Sequence, residues 1–184
     1  TKGAYEYEFG FEESYGCLVG THARDKDAVV AVMALCEAAA YYKSQGMTLC
    51  DQMRVIYEKY GFYREALESV TIPGAEGAAK IEAIISDLRK NAPREIGGQK
   101  VLALRDYRAG TRASLPEGTV TRLALPQSNV LYFELEEDGW CCVRPSGTEP
   151  KIKFYFGVRG ADMRAADEKL LRLKEGLLAL AGNV

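Results

Sequence analysis

Alternation over residues 131–136 is the plainest pattern in the chain. Leu131, Phe133 and Leu135 take turns with Tyr132, Glu134 and Glu136, which is the period of a half-buried strand. Asp138-Gly139 signals a two-residue hairpin, and Trp140 to Val143 reads as the returning strand. Next, Ile152, Phe154, Phe156 and Val158 share one face while Lys151, Lys153 and Tyr155 share the other. Further strands are predicted over Phe62–Ile72, near Val101–Tyr107 and near Arg122–Leu125. Helical spacing replaces this period at Ile81, Ile84, Ile85 and Leu88, ahead of Pro93. It returns at Met163, Ala166, Leu170, Leu173 and Leu177, with Gly182 just beyond. Consecutive strands flanked by two helices predict an antiparallel sheet with helices on one face, an α+β arrangement. Arg108–Gly118 carries no period and is expected to be the most mobile loop.

The first third of the chain follows a different pattern. A short extended piece, Tyr5–Phe11, leads into a Glu12-Glu13-Ser14 turn. A helix is predicted from about Asp25 to Gln45, with Asp25 or Asp27 at its acidic start and Lys43 with Gly46 at its end. Val29, Val32, Met33 and Cys36 form one stripe, but Val30, Ala34 and Leu35 are apolar too. Such a helix is expected to be covered on several sides, except that in a fragment one of those covers can be missing. Thr48-Leu-Cys-Asp51 resembles a capping box and opens a second helix that stops at Gly61. The expected division is therefore 1–61 and 62–184.

Composition narrows the class. The 184 residues are 47% hydrophobic and 27% charged, the ordinary globular range. The longest apolar run, Ala28–Tyr42, is shorter than the roughly 20 residues of a membrane span and contains Glu37. No signal peptide opens the chain, and five cysteines without regular spacing fit a reducing compartment, so a cytoplasmic protein off the membrane is expected. Cys141 and Cys142 should point to opposite faces of a strand, which argues against a zinc or redox pair. Net charge is −2, and Phe154 and Phe156 fall on the core face, so nucleic acid is not an expected partner.

Two stretches carry candidate chemistry. In Arg144-Pro-Ser-Gly-Thr-Glu-Pro150 the arginine offers a planar fork of donors, Ser146 and Thr148 add hydroxyls, and Gly147 lets backbone N–H groups approach an anion. Over residues 141–160, Arg144, Lys151, Lys153 and Arg159 stand against Glu149, a local balance of +3. These residue types also make ordinary turns, so a plain loop is the competing reading. In residues 1–20, Lys2 stands against Glu6, Glu8, Glu12 and Glu13, a balance of −3 that suits hydroxyls better than phosphate. One well-placed carboxylate binds two sugar hydroxyls, a role that fits Glu12 with Ser14, while Glu13 is either a second ligand or solvated. His22, the single histidine, either moves protons or is structural.

Arg144-x-Ser146-Gly147-Thr148-Glu149-Pro150 resembles the phosphate-binding loop in the last domain of the α-D-phosphohexomutases. Gly10-Phe-Glu-Glu-Ser-Tyr-Gly16 is similar to that family's sugar-binding loop, and Gly20-Thr-His-Ala-Arg-Asp-Lys-Asp27 to a pattern of its bacterial members. The resemblance implies that Glu12, Glu13 and Ser14 bind sugar hydroxyls. It implies that Arg144, Ser146, Gly147, Thr148 and Lys153 grip the phosphate that is not being transferred. It puts Lys26 near the reacting hydroxyl, where a depressed pKa would make it a base, beside a bland reading as a solvated side chain; His22 is the other candidate for proton transfer.

The family's Thr-x-Ser-His-Asn-Pro phosphoserine loop and Asp-x-Asp-x-Asp-Arg magnesium loop do not occur in this sequence. No metal ligands are therefore expected in this chain, and Mg2+ and a hexose 1,6-bisphosphate activator are expected for the full-length enzyme. The expectation is a fragment: the helical end of an α/β third domain joined to the complete fourth, α+β domain. Its partners would be a hexose phosphate and the N-terminal domains of the same enzyme, which interconverts hexose 1- and 6-phosphates. Alone it would be inactive. The alternative is a stand-alone module that binds sugar phosphate or phosphate without catalysis.

Overall fold

The structure, a computed structural model, describes residues 6–12, 16–74 and 76–182. The chain divides into two compact units, Thr1–Lys59 and Tyr60–Val184.

In the first unit, β1 (Phe9–Phe11) and β2 (Cys17–Val19) pair antiparallel, with Phe9 opposite Val19 and Phe11 opposite Cys17. Two helices follow, α1 (Ala28–Ser44) and α2 (Leu49–Tyr60). Of the two candidate acids, Asp27 is the cap of α1: its carboxylate accepts from the N–H groups of Val29 and Val30. The predicted capping box opens α2, where Asp51 N–H donates to the Thr48 hydroxyl and Thr48 N–H donates to the Asp51 carboxylate. Within its own unit α1 packs on β2, and Val30, Ala34, Ala38 and Tyr42 form a half-buried line. None of its residues is fully buried, and Val29 is 80% exposed, as expected for a fragment in which a cover of this helix is missing.

The second unit is an antiparallel sheet with two helices. Its elements are β3 (Phe62–Thr71), α3 (Gly77–Lys90), β4 (Glu95–Ile96), β5 (Gln99–Asp106), β6 (Thr111–Ser114), β7 (Val120–Arg122), β8 (Leu131–Leu135), β9 (Trp140–Pro145), β10 (Lys151–Gly160) and α4 (Met163–Leu180). The strand order is β3-β10-β9-β8-β5-β6-β7, with β4 paired to β5. The alternating residues do what their period demands. Phe133, Ile152, Phe154 and Phe156 are wholly buried, and Ile81, Ile85, Leu88, Leu173 and Leu177 of the two helices pack on them from one side. Lys151, Lys153 and Tyr155 lie on the helix-free face. Cys141 is buried and Cys142 half-buried, on opposite faces, and all five cysteines are free. The α+β reading therefore holds.

Two local expectations need correcting. The segment 108–118 is not an irregular loop: it contains β6, whose Arg112 makes two hydrogen bonds to Glu134 on β8. A four-residue Thr-Arg-Ala-Ser strand is too short and too polar to show a period. The hairpin turn sits one residue before Asp138-Gly139. Glu137 and Asp138 take the left-handed conformation, at φ 54° and 60°, and Gly139 N–H closes onto Glu136 C=O at 3.1 Å. Gly139 answers to space instead, since a Cβ there would strike the Gln99 side chain.

Candidate functional site

The phosphate-type loop is a short connection between two central strands. β9 and β10 run antiparallel with Arg144 directly opposite Lys153 and Pro145 opposite Ile152, so residues 146–150 bridge a rigid base. Ser146 N–H donates to Lys151 C=O at 2.7 Å, and the N–H of Ile72, just beyond β3, donates to Pro150 C=O at 2.9 Å, which pins both stems. The Ser146 hydroxyl accepts from the N–H groups of Thr148 and Glu149 at 3.4 and 3.3 Å and curls the loop tip. Gly147 has no left-handed backbone, and a Cβ there would meet nothing. The space it leaves opens into a cavity of about 330 Å³ lined by the loop together with Arg144, Lys151 and Lys153.

Electrostatics is the main argument for a site. Like charges directly opposite one another on a sheet are unfavourable. Arg144 and Lys153 occupy such a pair, and among the described residues neither has an ion pair or hydrogen bond. Two unpartnered cations, a free Thr148 hydroxyl and a tight turn are what a dianion needs. Lys151, the third cation of the cavity, is held by Glu149 at 3.1 Å. Pairing of Lys151 with the loop's own carboxylate was not foreseen; the Glu149-x-Lys151 spacing was its only signal in the sequence. On the same strand face, burial pushes the Cys142 thiol up to about 11, and the Arg144 charge works against that rise.

The acidic turn lies in the first unit. β1 and β2 bring Glu12 and Gly16 together, where Glu12 N–H donates to Gly16 C=O at 2.8 Å. Glu13 and Ser14 lie outside the described residues. Lys26 reaches across the base of this turn. Its Nζ donates to Glu12 Oε1 at 3.2 Å and to Asp25 Oδ1 at 2.9 Å, and its stem covers Gly16, where a Cβ would collide with it. Glu12, Arg24, Asp25 and Lys26 line a cavity of about 230 Å³.

These contacts bear on the expectation for Lys26. The hydrogen bond it donates to Asp25, then the one it donates to Glu12, raises its pKa above the ordinary lysine value, whereas a base needs it lowered. In this structure Lys26 stands as a paired cation beside Glu12. In the same exchange the Asp25 carboxyl is held below its usual value, first by its hydrogen bond to Lys26. His22 is drawn away from this cavity: its Nε2 lies 2.9 Å from Asp27 Oδ2, so it braces the cap of α1. The imidazole contact is the first cause that lowers the Asp27 pKa. Among the described residues no group of three or more His, Cys, Asp or Glu could hold a metal ion, so the donor set for Mg2+ is not met by them. Nor is any of their helices long and apolar enough to cross a membrane.

Comparison with known proteins gives both units a family. The family model described as the phosphoglucomutase/phosphomannomutase C-terminal domain matches residues 73–169. The model for the alpha/beta/alpha domain III of the same family matches residues 2–60. A phosphoglucomutase of Staphylococcus aureus (strain MRSA252) is 41% identical over 162 residues, 88% of this chain and 29% of that protein. Another, of strain MSSA476, is 42% identical over 151 residues, 82% of this chain and 27% of that protein. The chain therefore spans less than a third of the length of these relatives. In fold it is similar to the open form of parafusin, a phosphoglucomutase of Paramecium, with a TM-score of 0.59 at 15% identity, over 92% of this chain and 29% of that one. With two family models and these relatives matched, the chain belongs to the phosphoglucomutase/phosphomannomutase family, of which it carries domain III material and the C-terminal domain.

Proposed function

We propose that this chain is the sugar- and phosphate-holding part of a phosphoglucomutase that interconverts hexose 1-phosphate and hexose 6-phosphate through a bisphosphate. The observation that carries this reading is the unpartnered Arg144 and Lys153 pair at the mouth of a tight Ser-Gly-Thr loop. Arg144 would grip the non-transferring phosphate through a bidentate contact, and Lys153, Thr148 and the N–H beside Gly147 would take its other oxygens. Glu12 would accept two sugar hydroxyls, its carboxylate oriented by Lys26. Glu13 and Ser14 would join it from the same turn. A bisphosphate must turn over in such a site, so contacts to hydroxyls that occupy similar places in both orientations are favoured. Phosphoryl transfer draws mainly on positioning and charge stabilisation. This chain supplies positioning; the phosphoserine and the magnesium loop belong to other domains of the family, and Mg2+ would act there.

Titration of the isotope-labelled chain by NMR tests the reading. Inorganic phosphate and glucose 6-phosphate should both shift the amides of Gly147 and Thr148, unphosphorylated glucose should not, and Glu12 and Gly16 should respond to the sugar phosphate alone. Silence at residues 144–148 with both phosphates would refute the loop assignment.

A further inference from the structure

The sheet of the second unit guards one edge and leaves the other open. At one end β7 is three residues long, and β4 offers only two, which gives little to pair with. At the other end β3 is a ten-residue strand paired without a bulge to β10, from Lys151–Thr71 through Gly160–Phe62. It has no proline and no lysine, the usual protections of an edge. Ile72 N–H donates to Pro150 C=O, so even-numbered residues turn their backbone groups to β10. Tyr63, Glu65, Leu67, Ser69 and Thr71 therefore point theirs outward, where no described strand pairs with them.

The side chains beside that edge are arranged symmetrically about Ala66. On the helix side, Arg64 Nε lies 2.7 Å from Asp167 Oδ1, and Lys174 Nζ contacts Glu68. Seven residues of α4 thus span four of β3, about 10 Å against about 13 Å, so the helix and the strand run side by side. Leu171, at helical spacing from both Asp167 and Lys174, comes level with Ala66 and is 55% exposed. On the other face Tyr63 and Leu67 are exposed too.

The geometry points to an interface in which β3 pairs antiparallel with β3 of a second copy of this chain, on a two-fold axis through Ala66. That register sets Arg64 opposite Glu68 of the partner and Glu68 opposite its Arg64. Asp167 then faces Lys174 of the partner, and the two Leu171 side chains meet at the axis. Arg64, Glu68, Asp167 and Lys174 each meet an opposite charge, Glu65 lies opposite Leu67 of the second copy, and the apolar Leu171 falls at the centre. A register centred on Glu65 would instead set the two Glu65 side chains opposite one another, two like charges. The Leu67 N–H would donate to Glu65 C=O of the second copy, and symmetrically back. This surface is separate from the phosphate loop, and its test does not depend on ligand binding.

Sedimentation equilibrium of the full 184-residue chain over a range of concentrations should give a reversible dimer. Leu67→Pro removes a donor that only the interface uses, at an edge position where proline is tolerated. With two backbone hydrogen bonds lost per dimer, dissociation should strengthen by roughly thirtyfold. Leu171→Glu, an exposed helix position that leaves the fold intact, brings two carboxylates to the axis and should yield a monomer. Mixed labelled and unlabelled copies should show an intermolecular NOE between Leu171 methyl groups. A chain that stays monomeric at every concentration would overturn the interface. A dimer indifferent to Leu171→Glu would do so as well, since it must then be built on another surface.

Discussion

The two units solve opposite problems with similar residues. The second buries Phe133, Phe154, Phe156 and both helix stripes in one closed core, then leaves cations open at a loop on that core. The first leaves its most apolar helix with no fully buried residue and closes its cation, Lys26, onto two carboxylates. Rigidity and unmet charge go together in the second unit, which suits a grip on a ligand anion. In the first unit Lys26 is already answered, which suits the orienting of the Glu12 carboxylate that is proposed to accept hydroxyls. A phosphate site and a hydroxyl site thus differ in whether the protein's own charges are paired before the ligand arrives.

The comparison is broken most forcefully at the core. Phe154→Ala should cost about 3–5 kcal/mol, because the cavity opens between the sheet and its helices. Chemical denaturation followed by Trp140 fluorescence checks this, and a loss under about 1 kcal/mol would mean the second unit is not the closed body described. Next comes Arg144→Ala. Since the side chain is exposed and makes no bond in the described structure, folding should be unchanged while phosphate binding weakens by about 1.5–3 kcal/mol. Calorimetric titration with inorganic phosphate reads it, and unchanged affinity would turn the open cations into mere surface charge.

A smaller effect follows from acid. Glu134, between Arg112 and Arg105, has its pKa lowered first by the hydrogen bond from Arg112, against the desolvation that raises it. A folded pKa below the unfolded value contributes stability that is present above the unfolded carboxylate range and lost as pH falls through the folded value. Stability of the wild type should therefore decline at acid pH, below the ordinary glutamate range, and part of that decline should vanish in Glu134→Gln. Identical pH profiles for the two proteins would show that the Arg105–Glu134–Arg112 group does not tie β6 to the sheet.

Much of the second unit was legible because strand and helix periods were long and clean: β3, β8, β10, α3 and α4 follow from them. β6 and the Glu137-Asp138 turn were not. A four-residue strand has no period, and the turn's position depends on Gly139 needing to stay clear of Gln99, a contact between residues forty positions apart. The phosphate loop was legible as a list of donors, but the unpartnered Arg144–Lys153 pair is a matter of register. The pairing of Lys26 was not legible, because a sequence shows that a lysine is near acids, not that two of them close on its ammonium. The exposure of α1 was legible only through the fragment reading, since apolar residues on every side by themselves predict burial.

The smallest effect probes that helix. Val29→Ala and Leu35→Ala remove side chains that stand mostly in solvent, so each should change the stability of this chain by no more than about 0.5 kcal/mol. Alanine is also the better helix former, which offsets part of any loss. Asp27→Ala on the same helix should lower its helicity by circular dichroism, because the N–H groups of Val29 and Val30 lose their acceptor and His22 loses its tether. If instead Val29→Ala or Leu35→Ala cost as much as Phe154→Ala, α1 would be covered in solution, and the contrast between a closed second unit and an open first one would fail.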